Sequence, residues 1–281
     1  MRASGIRHFA IDRVEAGDAS PVDDAIAVEE PLEIRLAYSR PDGKRGERSI
    51  SITMRTPGND EELAAGFLFT EGIVHDAADI VRIGPYGAPA TNGLINVVRV
   101  SLAESVDVDL DRLERHFYTS SSCGVCGKSS LEAVAVQGRY DINEADFELG
   151  ADLLGALPAA LRSQQATFEA TGGLHASGLF DSNGQIVRVR EDVGRHNALD
   201  KLIGNALMQG LVPLSSYGVI VSGRASFELL QKAMMAGLPM VAAVGAPSSL
   251  AIELARQFDM TLAGFVKPDL FNLYARSDRI V

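Results

Sequence analysis

The sequence predicts an α/β protein with a β-rich N-terminal part and a C-terminal part in which strands and helices alternate. Two observations carry this. In Leu32–Tyr38 and again in Ile50–Met54 apolar residues recur at every second position, the period of a half-buried strand. From Tyr217 to Val266 three short apolar runs are separated by two longer segments of helical character, in the order β-α-β-α-β. That order implies parallel strands joined by right-handed crossovers.

The elements follow in order. Residues 1–30 are polar, with Pro21 inside them and Pro31 just beyond, and are expected to be loosely ordered. Leu32, Ile34, Leu36 and Tyr38 alternate with polar or small residues, and Ile50, Ile52 and Met54 repeat the pattern after Pro41-Asp42-Gly43. Two such runs around a turn predict an antiparallel pair. Asn59 is placed to cap a helix, with Glu62 completing a capping box, Leu63 and Phe67 sharing a face, and Gly72 ending it. Ile80–Ile83 and Leu94–Val100 read as strands. The segment Ser121-Ser122-Cys123-Gly124-Val125-Cys126-Gly127-Lys128 is small and polar, hence a loop, and Leu131, Val134 and Ala135 suit a short helix after it. A helix is expected around Pro158–Phe168. Leu174–Phe180 and Ile186–Arg190 flank Asp181-Ser182-Asn183-Gly184, a hairpin signal. Leu199, Leu202, Ile203, Ala206 and Leu207 share one helical face that Gly210 closes. Tyr217–Val221, Met240–Val244 and Thr261–Val266 are the parallel strands, with helices over Phe227–Ala236 and Ser249–Phe258. The divisions expected are 1–30, a β-rich 31–120, a cysteine loop at 121–130, and an α/β part at 131–281.

Composition excludes some functions. The net charge of −11 over 281 residues, with no long Lys/Arg run, argues against broad nucleic-acid binding. The best apolar stretch, 234–246, is broken by Gly237 and Pro239 and falls short of a membrane span. No secretory signal is visible at the N-terminus, so a cytoplasmic protein is expected. Two cysteines do not make a disulfide scaffold.

Cys123 and Cys126 are the first chemical candidates. Sulfur chemistry needs a thiolate, and a second thiol nearby can resolve a mixed disulfide or persulfide. A C-x-x-C spacing among glycines permits both, and Lys128 or a helix starting near Gly127 would favour the thiolate. Their Ser and Gly neighbours are not core material. The rival chemistry is zinc. It would need His175 and His196 as further ligands, but the zinc deaminases place their histidine element before a P-C-x-x-C, and here the order is reversed with no proline before Cys123.

Two kinds of strand-to-helix segment also draw notice. Arg190–Ala198 is unusually polar, and reads either as a solvated loop with Asp192 capping the next helix or as a functional segment. Ser222-Gly223-Arg224-Ala225-Ser226 and Gly245-Ala246-Pro247-Ser248-Ser249 can bind an anion at helix N-termini, with Arg224 adding a charge-assisted contact and Lys267 lying at the third strand end. The plainer reading is N-capping by Ser226 and Ser248.

Together, Ser122–Lys128, Thr171-Gly172-Gly173-Leu174-His175, Glu191-Asp192-Val193-Gly194-Arg195-His196-Asn197-Ala198-Leu199-Asp200-Lys201, Ser222-Gly223-Arg224 and Gly264-Phe265-Val266-Lys267 resemble the FdhD family of formate dehydrogenase accessory proteins. The resemblance runs over residues 30–281 in the family's order, and the block from Glu191 to Lys201 is its most specific part. It implies a cytidine-deaminase-like fold without deaminase chemistry, and a homodimer. It implies a sulfur carrier that accepts persulfide sulfur from a cysteine desulfurase and passes it to a Mo-bis(molybdopterin guanine dinucleotide) cofactor serving a formate dehydrogenase. In that scheme Cys123 carries the persulfide and Cys126 assists. The family's cofactor-binding stretch falls on Phe265, Val266, Lys267, Pro268, Asp269 and Leu270, where Lys267 is basic and Asp269 acidic. Ser222, Arg224 and Ser248 complete the expected cofactor site, for which a guanine nucleotide is an analogue, and the cysteine loop is expected to order over bound cofactor. Two other functions are weighed against this: a zinc-dependent, deaminase-like hydrolase of a nucleotide or base, and a chaperone that escorts cofactor or apoenzyme without chemistry.

Overall fold

A computed structural model describes residues 5–40, 42–108 and 140–281. The cysteine loop, with Cys123 and Cys126, and the short helix expected after it lie outside these residues.

The first two strands, β1 (Ile6–Glu15) and β2 (Asp18–Ala27), form an antiparallel ribbon pairing Ile6 with Ala27 and Glu15 with Asp18. This corrects the expectation of a loosely ordered start. Ala16 and Gly17 both have positive φ, at 52° and 97°, the demand of a two-residue hairpin turn. Ala at such a position gives no signal in sequence. Pro21 is tolerated because a two-stranded ribbon has two edges.

A four-stranded sheet follows, ordered β4-β3-β6-β5. It contains β3 (Glu30–Ser39), β4 (Arg45–Arg55), β5 (Ile80–Pro85) and β6 (Val97–Leu102). β3 and β4 are antiparallel as expected, and β6 begins at Val97 rather than Leu94. The second sheet has six strands ordered β12-β11-β10-β9-β7-β8. It contains β7 (His175–Phe180), β8 (Ile186–Asp192), β9 (Gly218–Val221), β10 (Met240–Ala243), β11 (Thr261–Lys267) and β12 (Leu270–Ala275). β9, β10 and β11 are parallel neighbours, as the β-α-β-α-β order requires, and β7 and β12 are antiparallel to them.

Period-two alternation divides the core across this second sheet. Leu179, Val219, Val221, Val241, Ala243 and Leu262 face a large cluster built with the helices α1 (Asp60–Thr70), α4 (Arg195–Met208), α5 (Phe227–Met235) and α6 (Ser249–Gln257) and with the first sheet. Phe180, Ile220, Met240, Ala242 and Ala263 face a smaller cluster under α2 (Ala151–Arg162). The helix expected over 158–168 is in fact two, α2 and α3 (Ala166–Thr171), parted at Ser163-Gln164-Gln165. Pro158 lies inside α2 rather than at its start.

α1 and α4 join the two sheets. They cross on Gly66 and Gly204: a Cβ at Gly66 would collide with the Asp200 carbonyl, and one at Gly204 with the Glu62 carbonyl. Beside the crossing, the Lys232 ammonium of α5 donates at 2.9 Å to both Asp200 carboxylate oxygens and to the Thr70 hydroxyl, all buried. Burial depresses the Lys232 pKa, but Asp200 and Glu71 more than offset this, and the ammonium is held above its ordinary range. This ion pair ties α1, α4 and α5 together. Breaking one partner of such a pair leaves an uncompensated buried charge.

Candidate functional site

The carboxyl ends of β9, β10 and β11 lie side by side, and the chain beyond them stays paired. Gly245 donates its N–H to the Gly223 carbonyl at 2.9 Å, Ala225 to Ala246 at 3.1 Å, and Phe265 to Gly245 at 3.1 Å. Glycine permits this closeness: a Cβ at Gly245 would sit 3.0 Å from the Gly223 oxygen. The two turns singled out in the sequence, 222–226 and 245–249, are therefore one contiguous edge, and Lys267 projects beyond it on β11.

The expected cofactor-site residues fall on this edge with different freedoms. The Ser222 hydroxyl accepts the Ala176 N–H at 2.9 Å and so knits β9 to β7. Ser248 caps α6, accepting the Ala251 N–H at 3.2 Å, as expected. Ser226 does not cap α5. Its hydroxyl lies 3.4 Å from the His196 ring instead. Arg224 and Lys267 are exposed, and among the described residues neither guanidinium nor ammonium is bonded to a protein group.

β11 carries a bulge. Gly264 pairs with Asn272 and Lys267 with Leu270, so one extra residue stands on β11. Phe265 sits there with φ of 54°, a left-handed conformation unusual for a bulky side chain. The bulge turns the Phe265 ring to solvent, 41% exposed, and sends Val266 into the small core. Of the stretch 265–270, Val266 can thus offer a ligand only its backbone, while Pro268 and Asp269 form the exposed turn between β11 and β12 and the exposed Leu270 opens β12.

The polar segment 190–198 is neither a solvated loop nor capped by Asp192. Asp192 ends β8 fully buried, 2.7 Å from the Lys201 ammonium, and accepts N–H groups of Thr56 and Gly194 and the Asn197 amide. Lys201 also donates to the Thr56 carbonyl at 2.9 Å, and Asn197 to the Met54 carbonyl at 2.7 Å. Glu191 accepts the Thr167 and Phe168 N–H groups at the start of α3. Arg190 is paired with Glu62 of α1. The residues that carry the family resemblance most specifically therefore brace the junction of the two sheets. Arg195 and His196 are the exceptions, because they sit beside the strand edge.

His196 Nε2 is 2.8 Å from the Glu228 carboxylate, and that hydrogen bond holds the Glu228 pKa below its ordinary value. His175, at the start of β7, has its ring close to Gly223. Its pKa is lowered by partial burial and then by the neighbouring Arg195 and His196, which favours the neutral imidazole. The edge thus sets the cations of Arg195, Arg224 and Lys267, which bond no protein group among the described residues, beside the His175 ring and the His196–Glu228 pair, and the excess of cations suits a large anionic ligand. His175 and His196 do not gather a metal set: among the described residues no group of three His, Cys, Asp or Glu side chains could hold a metal ion. No described helix is long and apolar enough to cross a membrane.

A cleft of about 520 Å³ opens next to this edge, between α2, α3 and the ends of β9 and β10. Sequence reasoning missed three of its members, Arg162, Gln165 and Phe168. They lie in what reads as one continuous helix, and only the break between α2 and α3 turns them toward a cleft.

Residues 27–281 match the model of the FdhD/NarQ family. The chain is 49% identical over 272 residues to the sulfur carrier protein FdhD of Streptomyces avermitilis, covering 95% of this chain and 93% of that one. It is 36% identical over 278 residues to the sulfur carrier protein FdhD of Saccharolobus solfataricus, covering 98% of each. A crystal structure assigned to a formate dehydrogenase accessory protein of Desulfotalea psychrophila superposes with a TM-score of 0.74 at 25% identity, covering 99% of this chain and 100% of that one. The chain belongs to the FdhD/NarQ family.

Proposed function

We propose that this protein is a sulfur carrier that takes persulfide sulfur from a cysteine desulfurase onto Cys123 and passes it to a Mo-bis(molybdopterin guanine dinucleotide) cofactor destined for a formate dehydrogenase. Its relatives are named as sulfur carriers, and a structural neighbour as a formate dehydrogenase accessory protein. The observation that carries the cofactor part of the reading is the edge itself. Two glycine-containing turns, an exposed Phe265 held by a bulge, and Arg224 and Lys267, unpaired among the described residues, converge where open α/β sheets bind nucleotides. The residues fit a phosphate-bearing substrate: glycines let its oxygens approach the backbone, and two free cations meet its charge.

The uptake step balances without an external oxidant. The Cys123 thiolate attacks the outer sulfur of the donor persulfide. A new S–S bond forms, the donor S–S bond breaks, and the desulfurase cysteine leaves as a thiolate. Cys126 is placed by its spacing to resolve or protect the carrier. The protein works as a homodimer in the cytoplasm in this reading. The zinc hydrolase alternative is not favoured by the family to which the chain belongs.

GDP tests the edge. It should raise the melting temperature by mass action, since it binds the folded state. Arg224→Ala should shrink that rise by more than half at the same GDP concentration. An undiminished rise would place the nucleotide elsewhere.

A further inference from the structure

We infer that the arm formed by β1 and β2 docks on the same arm of a second copy of this chain, face to face, about a two-fold axis that passes the pair Ile11 and Val22. The inference rests on the homodimer of the proposed reading and names the contact that such a dimer uses.

The two strands pair from Ile6 and Ala27 at the base to Glu15 and Asp18 at the tip. Alternation gives this ribbon two faces. One of them meets the body of the protein at the base, where a Cβ on Gly173 would touch the Ala27 methyl group and β2 packs on α3. The opposite face carries an apolar stripe of Ile26, Phe9, Val22 and Ile11. Phe9 is 46% and Ile26 39% exposed. A two-stranded ribbon alone is marginally stable in water, and contiguous exposed apolar side chains mark a contact surface. The arm precedes the residues that match the family model, 27–281, so the surface is read from this chain alone.

The charges on the exposed face select the occupant. From base to tip its cross-strand rows are Arg7 with Ile26, Phe9 with Asp24, Ile11 with Val22, Arg13 with Ser20, and Glu15 with Asp18. A two-fold axis lying in the face at the middle row reverses this order in the second copy. Arg7 then meets the row of Glu15 and Asp18, Asp24 meets the row of Arg13, and the Ile11–Val22 row meets itself. Every charged row faces the opposite sign. Moving the axis half a row either way sets like charges together, Arg7 against Arg13 or Asp24 against Glu15 and Asp18. Self-complementarity in one register is what an isologous interface requires. Within one arm the Arg13 guanidinium is already 3.4 Å from Asp24, so the pairing of the copies extends an existing ion pair.

The test is sedimentation equilibrium of the full chain. The wild type should be a dimer. Phe9→Asp, at an exposed position, should raise the dimer dissociation constant about tenfold or more, with an unchanged circular dichroism spectrum. Arg7→Glu should weaken the dimer too, because it sets a carboxylate against Glu15 and Asp18 of the second copy. Adding Glu15→Lys and Asp18→Lys to Arg7→Glu should restore it. Arg7 and Glu15 stand about 26 Å apart along one arm, at about 3.3 Å per residue, so this rescue acts between copies and not within one. A dimer as tight in either Phe9→Asp or Arg7→Glu as in the wild type would overturn the inference and leave the homodimer to another surface. Absence of rescue in the triple variant would overturn it as well. A monomeric wild type would overturn the inference and the homodimer together, and would leave the sulfur-carrier reading untouched.

Discussion

Gly66→Ala is expected to destabilise the fold by about 3 kcal/mol or more, at or above the upper end of ordinary overpacking costs. The added methyl group collides with backbone, the Asp200 carbonyl of α4, rather than with a side chain that could rotate away. α1 and α4 must then separate. Separation also strains the bonds that flank the crossing: Glu62 to Arg190 and Asn205, and Thr70 to Asp200 and Lys232. For a chain of this size the melting temperature should fall by roughly 6–12 °C. Gly84→Ala is the control, since its Cβ would meet nothing closer than 3.7 Å and its φ is not positive. Similar melting temperatures for the two variants would show that the helices can re-seat, and that the crossing does not hold the two sheets together.

The second large effect is chemical. Cys123→Ala should abolish activation of formate dehydrogenase in cells while the protein remains folded and still binds GDP. The loss is complete in this account because the only other cysteine of the chain, Cys126, assists or resolves and does not carry the sulfur. A carrier that merely escorted cofactor would keep its activity without the thiol. Activation by Cys123→Ala at the wild-type level would exclude Cys123 as the carrier, and full activation by a variant lacking both Cys123 and Cys126 would favour the escort.

Much of the fold was legible because local signals and packing agree. Asn183-Gly184 joins β7 to β8 as its composition demands, with Gly184 at φ of 72°. The three apolar runs at 217–266 became adjacent parallel strands, because fully buried short strands must read as continuous apolar runs. The misses share a physical cause: the partner that decided each one lies far away in sequence. Glu62 looked like half of a capping box, but Asn59 adopts φ of 57° and makes no side-chain cap, and Glu62 pairs instead with Arg190 and Asn205. Ser226 looked like a cap and faces His196. Asp192 looked like a solvated cap and is the buried partner of Lys201. The break after α2 had no Gly or Pro to announce it, so Gln165 gave no sign of its place beside a cleft.

The same contrast runs through the site. The two Ser/Gly turns were visible as turns, and strand order alone put them at one edge. The bulge that exposes Phe265 was not visible, because it arises from the register between β11 and β12 and not from composition.

The central claim is that Cys123 carries sulfur, and the most direct measurement is mass spectrometry of the intact and digested protein after incubation with a cysteine desulfurase and cysteine. The account predicts a mass gain of one sulfur atom, located on the peptide containing Cys123, removed by a thiol reductant and absent from Cys123→Ala. A protein that gains no sulfur under conditions where the desulfurase is itself persulfidated, or that gains it equally in Cys123→Ala, would contradict the claim.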